Sequence, residues 1–193
     1  MIHNPILLKL EEININLSPE ELKTMLDAFT IEHLEKGEFF LKQGDQNETI
    51  GFLTKGSLYA YSIDKDGYQK VNNFYYPVEN AILFNYDCYY HKKPSTLYIE
   101  CYTPCVFYAI TRSKIIDLCN EFAPLLKLEE EVLKTNLQMA VQKANILQSD
   151  SNVDKVKILQ QYYTQVFSYF PYSYIASYLG IHRNTFNRIF KQI

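Results

Sequence analysis

Near the C-terminus five hydrogen-bond donors, Arg183, Asn184, Asn187, Arg188 and Lys191, recur at alternating steps of one and three residues with no acid among them. On a helix that spacing gathers them on one side, while Phe186, Ile189 and Ile193 take the i, i+3, i+7 positions of a buried face. Arg can give two hydrogen bonds to O6 and N7 of guanine, and Asn can pair in the same way with adenine. The N-terminal positions of such a helix reach base edges first, which makes Arg183, Asn184 and Asn187 readers and Arg188 either a reader or a phosphate clamp. Lys191, His182, Thr185 and Ser173 fall where phosphates would lie. Upstream, Ser173 is placed to cap a helix whose Ile175, Ala176 and Leu179 face inward, and Gly180 supplies the positive φ of a turn. Tyr172 to Ile193 therefore reads as a helix-turn-helix. A plain helical hairpin with a solvated basic face is the alternative, and the small residues Ala176 and Gly180 at the crossing argue against it.

Other chemistry is poorly supplied. The histidines His3, His33, His91 and His182 are isolated, and no H-x-H pair, serine elbow or phosphate loop occurs, so an enzyme is not expected. Cys88, Cys101, Cys105 and Cys119 sit in apolar, aromatic stretches without a CxxC pair, the pattern of reduced structural thiols rather than of a metal site. The N-terminus MIHNPILLKLEEININ lacks the basic start and apolar run of a secretory signal. No window approaches a membrane span, so a cytoplasmic protein without membrane contact is expected.

The chain has 193 residues, 47% hydrophobic and 21% charged, with a net charge of −3. Residues 151–193 carry five Lys/Arg against Asp154 alone, a local +4 that leaves −7 over residues 1–150. A basic module on an acidic body suits nucleic-acid contact confined to one end.

The elements that must position the donors follow from patterning. Ser18-Pro19-Glu20-Glu21 reads as a capped helix start, with Leu22, Met25, Leu26 and Phe29 on one face. From Ile31 to Thr111 short runs rich in Phe, Tyr, Val and Ile alternate with turn signals at Lys36-Gly37, Gly44-Asp45, Lys55-Gly56 and Asp66-Gly67, the spacing of a small antiparallel β-roll. Phe122 to Leu147 turns helical, with three columns at steps of seven: Leu125, Val132, Met139, Ile146; Leu126, Leu133, Ala140, Leu147; and Glu130, Leu137, Ala144. So wide a stripe predicts one flank on the roll and the other on a second subunit, through Leu126, Val132, Leu133, Leu137, Met139, Ala140, Ala144 and Leu147. An intramolecular core helix is the alternative. Residues 148–152 form a polar hinge, and Val153 to Phe167 another helix. The fold class expected is α+β: a jelly-roll-like sensor domain over 1–121, a dimerisation helix over 122–149, and a small all-α helix-turn-helix domain over 150–193.

With these residues in place, the sequence resembles the Crp/Fnr family of bacterial regulators. IASYLGIHRNTFNRIFK looks like the family's I-A-x-x-L-G-x-[ST]-R-E-T-[VL]-x-R, so Arg183, Asn184 and Arg188 stand at the positions that family members use on base edges. KGEFFLKQGD, FLTKGSLYAY and DKDG are similar to the glycine ladder of the family's cyclic-nucleotide-binding roll. The resemblance implies a homodimeric transcription regulator whose partners are double-stranded DNA, a second copy of the chain and RNA polymerase. Its half-sites would lie about 34 Å apart.

Departures from the family pattern bear on its ligand. Members that bind cyclic nucleotides carry Gly-Glu for the ribose and Arg-Ser for the phosphate. Counting along this chain puts those positions near Ile82-Leu83 and near Pro94-Ser95 or Ser95-Thr96, and no arginine lies between residue 60 and Arg112. A buried phosphate without a charge partner is strongly disfavoured, and Lys92 and Lys93 beside Pro94 read as a solvated loop. Cyclic AMP binding in the family manner is therefore not expected. The pocket takes a more apolar ligand or none, and no cofactor is expected beyond an unidentified small-molecule effector. Seventeen tyrosines either line a pocket for an aromatic or lipid-like ligand or reflect the preference of strands for Tyr. His182 replaces the family's Ser/Thr and predicts a weaker cap. The sequence ends after the recognition helix, so a full wing is expected to be missing. A sensor or interaction module whose helix-turn-helix no longer reads DNA is the competing reading.

Overall fold

The computed structural model describes residues 4–192, and the roles read for His3 and Ile193 lie outside them. Eight antiparallel strands form two four-stranded sheets: β1 (Thr30–Leu34), β2 (Phe39–Leu41), β3 (Thr49–Lys55), β4 (Leu58–Ile63), β5 (Gln69–Tyr75), β6 (Ile82–Leu83), β7 (Tyr98–Cys101) and β8 (Cys105–Thr111). One sheet runs β1-β8-β3-β6 and the other β2-β7-β4-β5, which is the α+β roll expected from the strand spacing. Leu53, Leu58, Leu83, Ile99 and Phe107 fill the space between the sheets, because alternate strand residues point inward. Gly56 makes the β3–β4 turn possible twice over. It holds φ at +90°, and a Cβ there would strike the Pro104 carbonyl and approach Cys105 Sγ to 2.7 Å.

Two helices precede the roll, α1 (Pro5–Glu12) and α2 (Pro19–Asp27). The second starts as the sequence indicates: the Glu21 N–H donates to Ser18 Oγ and the Ser18 N–H to the Glu21 carboxylate, a reciprocal capping box. The first helix was not anticipated. Ile6 and Leu10, four residues apart, bury against the outer face of the β1-β8-β3-β6 sheet with Met25, Ile50 and Ile110. One more helix, α3 (Tyr86–His91), interrupts what the sequence presents as continuous strand territory, and another, α4 (Arg112–Glu121), follows that territory directly.

A 3-10 turn at Ala123–Leu125 leads into α5 (Leu126–Leu147). Its seven-residue columns divide. Leu125, Val132 and Ile146 are buried inside the chain, whereas Leu126, Leu133, Ala140 and Leu147, with Leu137, Val141 and Ala144, are exposed. The intramolecular flank therefore corrects two residues assigned to the dimer contact: Val132 packs in the core shared with α1 and α2, and Met139 is half-buried, lining a cleft beside the roll. The seven-residue period alone did not tell inner from outer columns, because both are apolar.

The C-terminal helices are α6 (Asn152–Tyr162), α7 (Val166–Tyr169), α8 (Tyr172–Leu179) and α9 (Arg183–Phe190). The single helix expected over 153–167 is broken at Tyr163. Ser151, within the stretch read as a hinge, caps α6 by accepting the Asp154 N–H at 3.1 Å. Among the described residues no helix is long and apolar enough to cross a membrane.

Candidate nucleic-acid interface

α8 and α9 form the helix-turn-helix. Ile175, Ala176 and Leu179 of the first helix and Phe186 and Ile189 of the second are buried together. Gly180 turns the chain at φ +67°, and the Ile181 N–H closes the helix end on the Ala176 carbonyl at 3.0 Å. Phe190 continues the inward face by stacking on Phe186 and Phe167. Ser173 does not cap α8. The helix begins one residue earlier, after Pro171, whose fixed φ suits a helix entry, and Ser173 lies within its first turn. His182, in contrast, does cap α9: its Nδ1 accepts the Asn184 N–H at 3.2 Å. The imidazole thus satisfies an otherwise orphaned helix N–H in place of a hydroxyl.

Of the predicted readers, Arg183, Asn184 and Arg188 are exposed, as are His182 and Lys191, while Thr185 and Asn187 are half-buried. Among the described residues none of these cations is in a salt bridge, although five pairs occur elsewhere. The face is free to donate.

What holds this unit is an aromatic seam that the sequence reading did not foresee. α8 lies on β5, and Tyr59, Tyr61, Phe74 and Tyr76 of the roll share one buried cluster with Phe170, Tyr178, Phe186 and Ile189. Ring centroids stand 4.5 Å apart for Phe74–Phe170, 5.3 Å for Phe74–Tyr178 and 4.8 Å for both Tyr59–Tyr174 and Tyr76–Tyr169. Polar stitches border the rings. The Val71 N–H donates to Ser177 Oγ at 3.1 Å, and the Ser177 hydroxyl to the Gln69 carbonyl at 3.4 Å. Glu79 accepts from the Tyr76 hydroxyl (2.8 Å), the Gln165 N–H (3.3 Å) and the Thr164 hydroxyl. Burial raises the phenols of Tyr59, Tyr76 and Tyr178 well above their ordinary range, and burial together with Glu100 pushes Tyr61 up to about 12. Many of the tyrosines are seam material.

The effector positions read from the sequence do not share one site. Leu83 is fully buried in the roll core, Ile82 lines a different cavity, and Ser95 is buried and committed to Leu97 and Asn85. Thr96 alone faces the cleft between roll and α5, a space of about 320 Å³. Beside it stand Asn85, Tyr86 and Asp87 at the start of α3. No arginine lines this cleft. Its cation is Lys143 of α5, whose Nζ donates to the Asn72 carbonyl at 2.6 Å and lies 5.3 Å from the centroid of the Tyr178 ring. Lys92 is exposed, pairing at 3.8 Å with Glu48.

Comparison with known proteins agrees with this architecture. Residues 31–122 match the family model described as the cyclic nucleotide-binding domain. No curated protein matches in sequence. Among solved structures the chain is similar to FixK2 from Bradyrhizobium japonicum, at 15% identity and a TM-score of 0.68 over 85% of this chain and 83% of that one. It is also similar to a CooA mutant from Carboxydothermus hydrogenoformans, at 13% identity and 0.67 over 95% and 82%. A protein assigned to the crp/fnr family of transcriptional regulators from Eubacterium rectale gives 15% identity and 0.66 over 91% and 83%. The chain has the Crp/Fnr fold, with roll, long helix and C-terminal helices.

Proposed function

We propose, from the Crp/Fnr fold, that the protein is a homodimeric, sequence-specific DNA-binding transcription regulator. The observation that carries this reading is the exposed, acid-free face of Arg183, Asn184, Arg188 and Lys191 on a helix whose opposite side is buried. Such a face meets the acceptor-rich edge of the major groove, with the two Arg and Asn184 on bases and Lys191 on phosphate. The exposed column of α5 supplies the seam for the second copy, so two recognition helices reach successive grooves. RNA polymerase is a further partner under this reading. The protein is not a catalyst, and cyclic AMP is not its effector, because the cleft lacks an arginine to neutralise a cyclic phosphate. Micromolar binding of cyclic AMP in calorimetry would overturn that last statement.

Selection from a random-sequence DNA library tests the main reading. A pseudo-palindrome with half-sites about one helical turn apart is the expected product, with binding that weakens steeply as salt rises. No enrichment at low salt would leave the helix-turn-helix as a packing element of an interaction module.

A further inference from the structure

We infer that the cleft between the roll and α5 binds a small amphipathic carboxylate, held by Lys143, and that the bound ligand touches the first helix of the helix-turn-helix directly through Tyr178. The inference deepens the proposed regulatory reading and rests on it for the consequence, though not for the binding.

The cleft is built in two halves. Ala60, Tyr75, Phe84 and Ile99 give it a buried apolar floor, and Lys143 and the buried Tyr178 line it beside them. Tyr86, Asp87 and Thr96, which also line it, are exposed. About 320 Å³ lies near the lower limit for a small-molecule site. An apolar floor takes an aryl or short alkyl group, and the lining beside it takes what Lys143 can hold.

Lys143 has an unusual position for a lysine. Among the described residues it has no carboxylate partner, one carbonyl acceptor on Asn72, and one aromatic face on Tyr178. Burial pulls its ammonium below the ordinary lysine range. A cation removed from water without an anion is costly, and an incoming anion repays part of that cost. A carboxylate carries one negative charge, which the one ammonium balances, whereas a phosphate monoester carries about 1.5–2 and would leave charge uncompensated in the cleft.

The link to the first helix of the helix-turn-helix is one residue long. Tyr178 lies on α8, one position after Ser177, whose hydroxyl ties that helix to β5 through Val71 and Gln69. A carboxylate that draws Nζ from the Asn72 carbonyl and from the Tyr178 ring changes contacts on β5 and α8 at once. Ligand occupancy is thus differential toward the docking of α8, which is the requirement for shifting any conformational equilibrium.

Isothermal calorimetry of the full chain, without DNA, against benzoate, phenylacetate and hexanoate, each paired with its neutral amide, tests the binding. At least one acid should bind, with its amide at least about tenfold weaker, as loss of a charge-assisted hydrogen bond dictates. Lys143→Gln should abolish that preference. Binding by none of the three acids, equal binding of acid and amide, or an undiminished preference in Lys143→Gln overturns the inference. The acid-to-amide comparison on the unmodified protein decides the matter even if the variant does not fold. Hydrogen exchange read over residues 172–179 should change on adding the bound acid, and unchanged exchange there refutes the contact with α8. Library selection, run separately, shows whether DNA reading fails independently of ligand binding.

Discussion

Truncating Leu137 and Val132 to alanine, one variant each, separates the two flanks of α5. Leu137 is 67% exposed and Val132 2% exposed, although both are apolar and both belong to the seven-residue columns. Fully burying a leucine gives about 1.5–3 kcal/mol, so the two thirds of Leu137 still open to a partner gives roughly 1–2 kcal/mol. A twofold interface uses that side chain twice, and Leu137→Ala should therefore weaken the dimer by roughly 2–4 kcal/mol, or about 30- to 700-fold in dissociation constant. Its effect on the fold of one subunit should stay within about 0.5 kcal/mol. Val132→Ala should do the reverse, leaving association near that of the parent while costing about 1–3 kcal/mol of stability by opening a cavity under α1 and α2. Sedimentation velocity over a dilution series reads the first quantity. Thermal melting over the same series reads the second, with the concentration-dependent part of the melting temperature assigned to dissociation. A Leu137→Ala dimer within threefold of the parent, or a Leu137→Ala subunit that melts as early as Val132→Ala, would refute the division of the helix into an inner and an outer flank.

On a selected DNA site, Arg183→Ala should cost about 1–3 kcal/mol and relax preference at one base pair, whereas Lys191→Ala should weaken all sequences alike and lower the salt dependence by about one ion; gel shifts across salt concentrations distinguish them. Gly56→Ala should destabilise by more than the roughly 1 kcal/mol of a strained φ, because its Cβ has no room beside Pro104 and Cys105; an unchanged melting temperature would show that the turn relaxes freely. Alkaline pH should unfold the protein. Tyr59, Tyr61, Tyr76 and Tyr178 are all raised from 10.0 in the folded state, so the unfolded chain loses protons first and stability falls once pH exceeds about 10. Lys143, lowered by burial, works in the opposite direction but is a single group against four. Tyrosinate absorbance that reaches the full complement of 17 in a single titration centred near pH 10, with the fold retained, would contradict this.

Local chemistry was the legible part. The capping box at Ser18, the turn at Gly56 and the turn at Gly180 are fixed by residues within four positions, and the sequence displays them directly. α3 was hidden because Tyr-Asp-Cys-Tyr-Tyr-His has the aromatic content of a strand. Its helix depends on the Asn85 side chain accepting the Cys88 N–H and on Lys92 adopting a left-handed φ of 52° at its end. That the counted ligand positions Ile82, Leu83, Ser95 and Thr96 do not line one cleft was hidden for a related reason. Counting forward from Gly67 supposes regular strands, but β4 and β5 slip register between Ala60 and Tyr61, and the loop between Tyr76 and Asn80 holds Val78 at φ +77°. Irregularities of that kind consume residues without leaving a periodic trace.

The seam bears on how any signal reaches Arg183. A helix-turn-helix joined to its roll only by residues 148–152 would swing freely, and a ligand in the cleft would have to act through α5 alone. Here the first helix is instead seated on β5, with Phe74 and Tyr76 ringed by Tyr169, Phe170 and Tyr178. Each close aromatic pair contributes about 0.5–1.5 kcal/mol beyond the area it buries, so even three of them outweigh the entropy gained by releasing a short linker, about 0.6 kcal/mol for each doubling of its free length. The orientation of the recognition helix, packed on α8, is therefore set by the roll face that α8 sits on. A change in that orientation has to begin by altering contacts along β5 and α8, where Lys143, Asn72 and Tyr178 already meet.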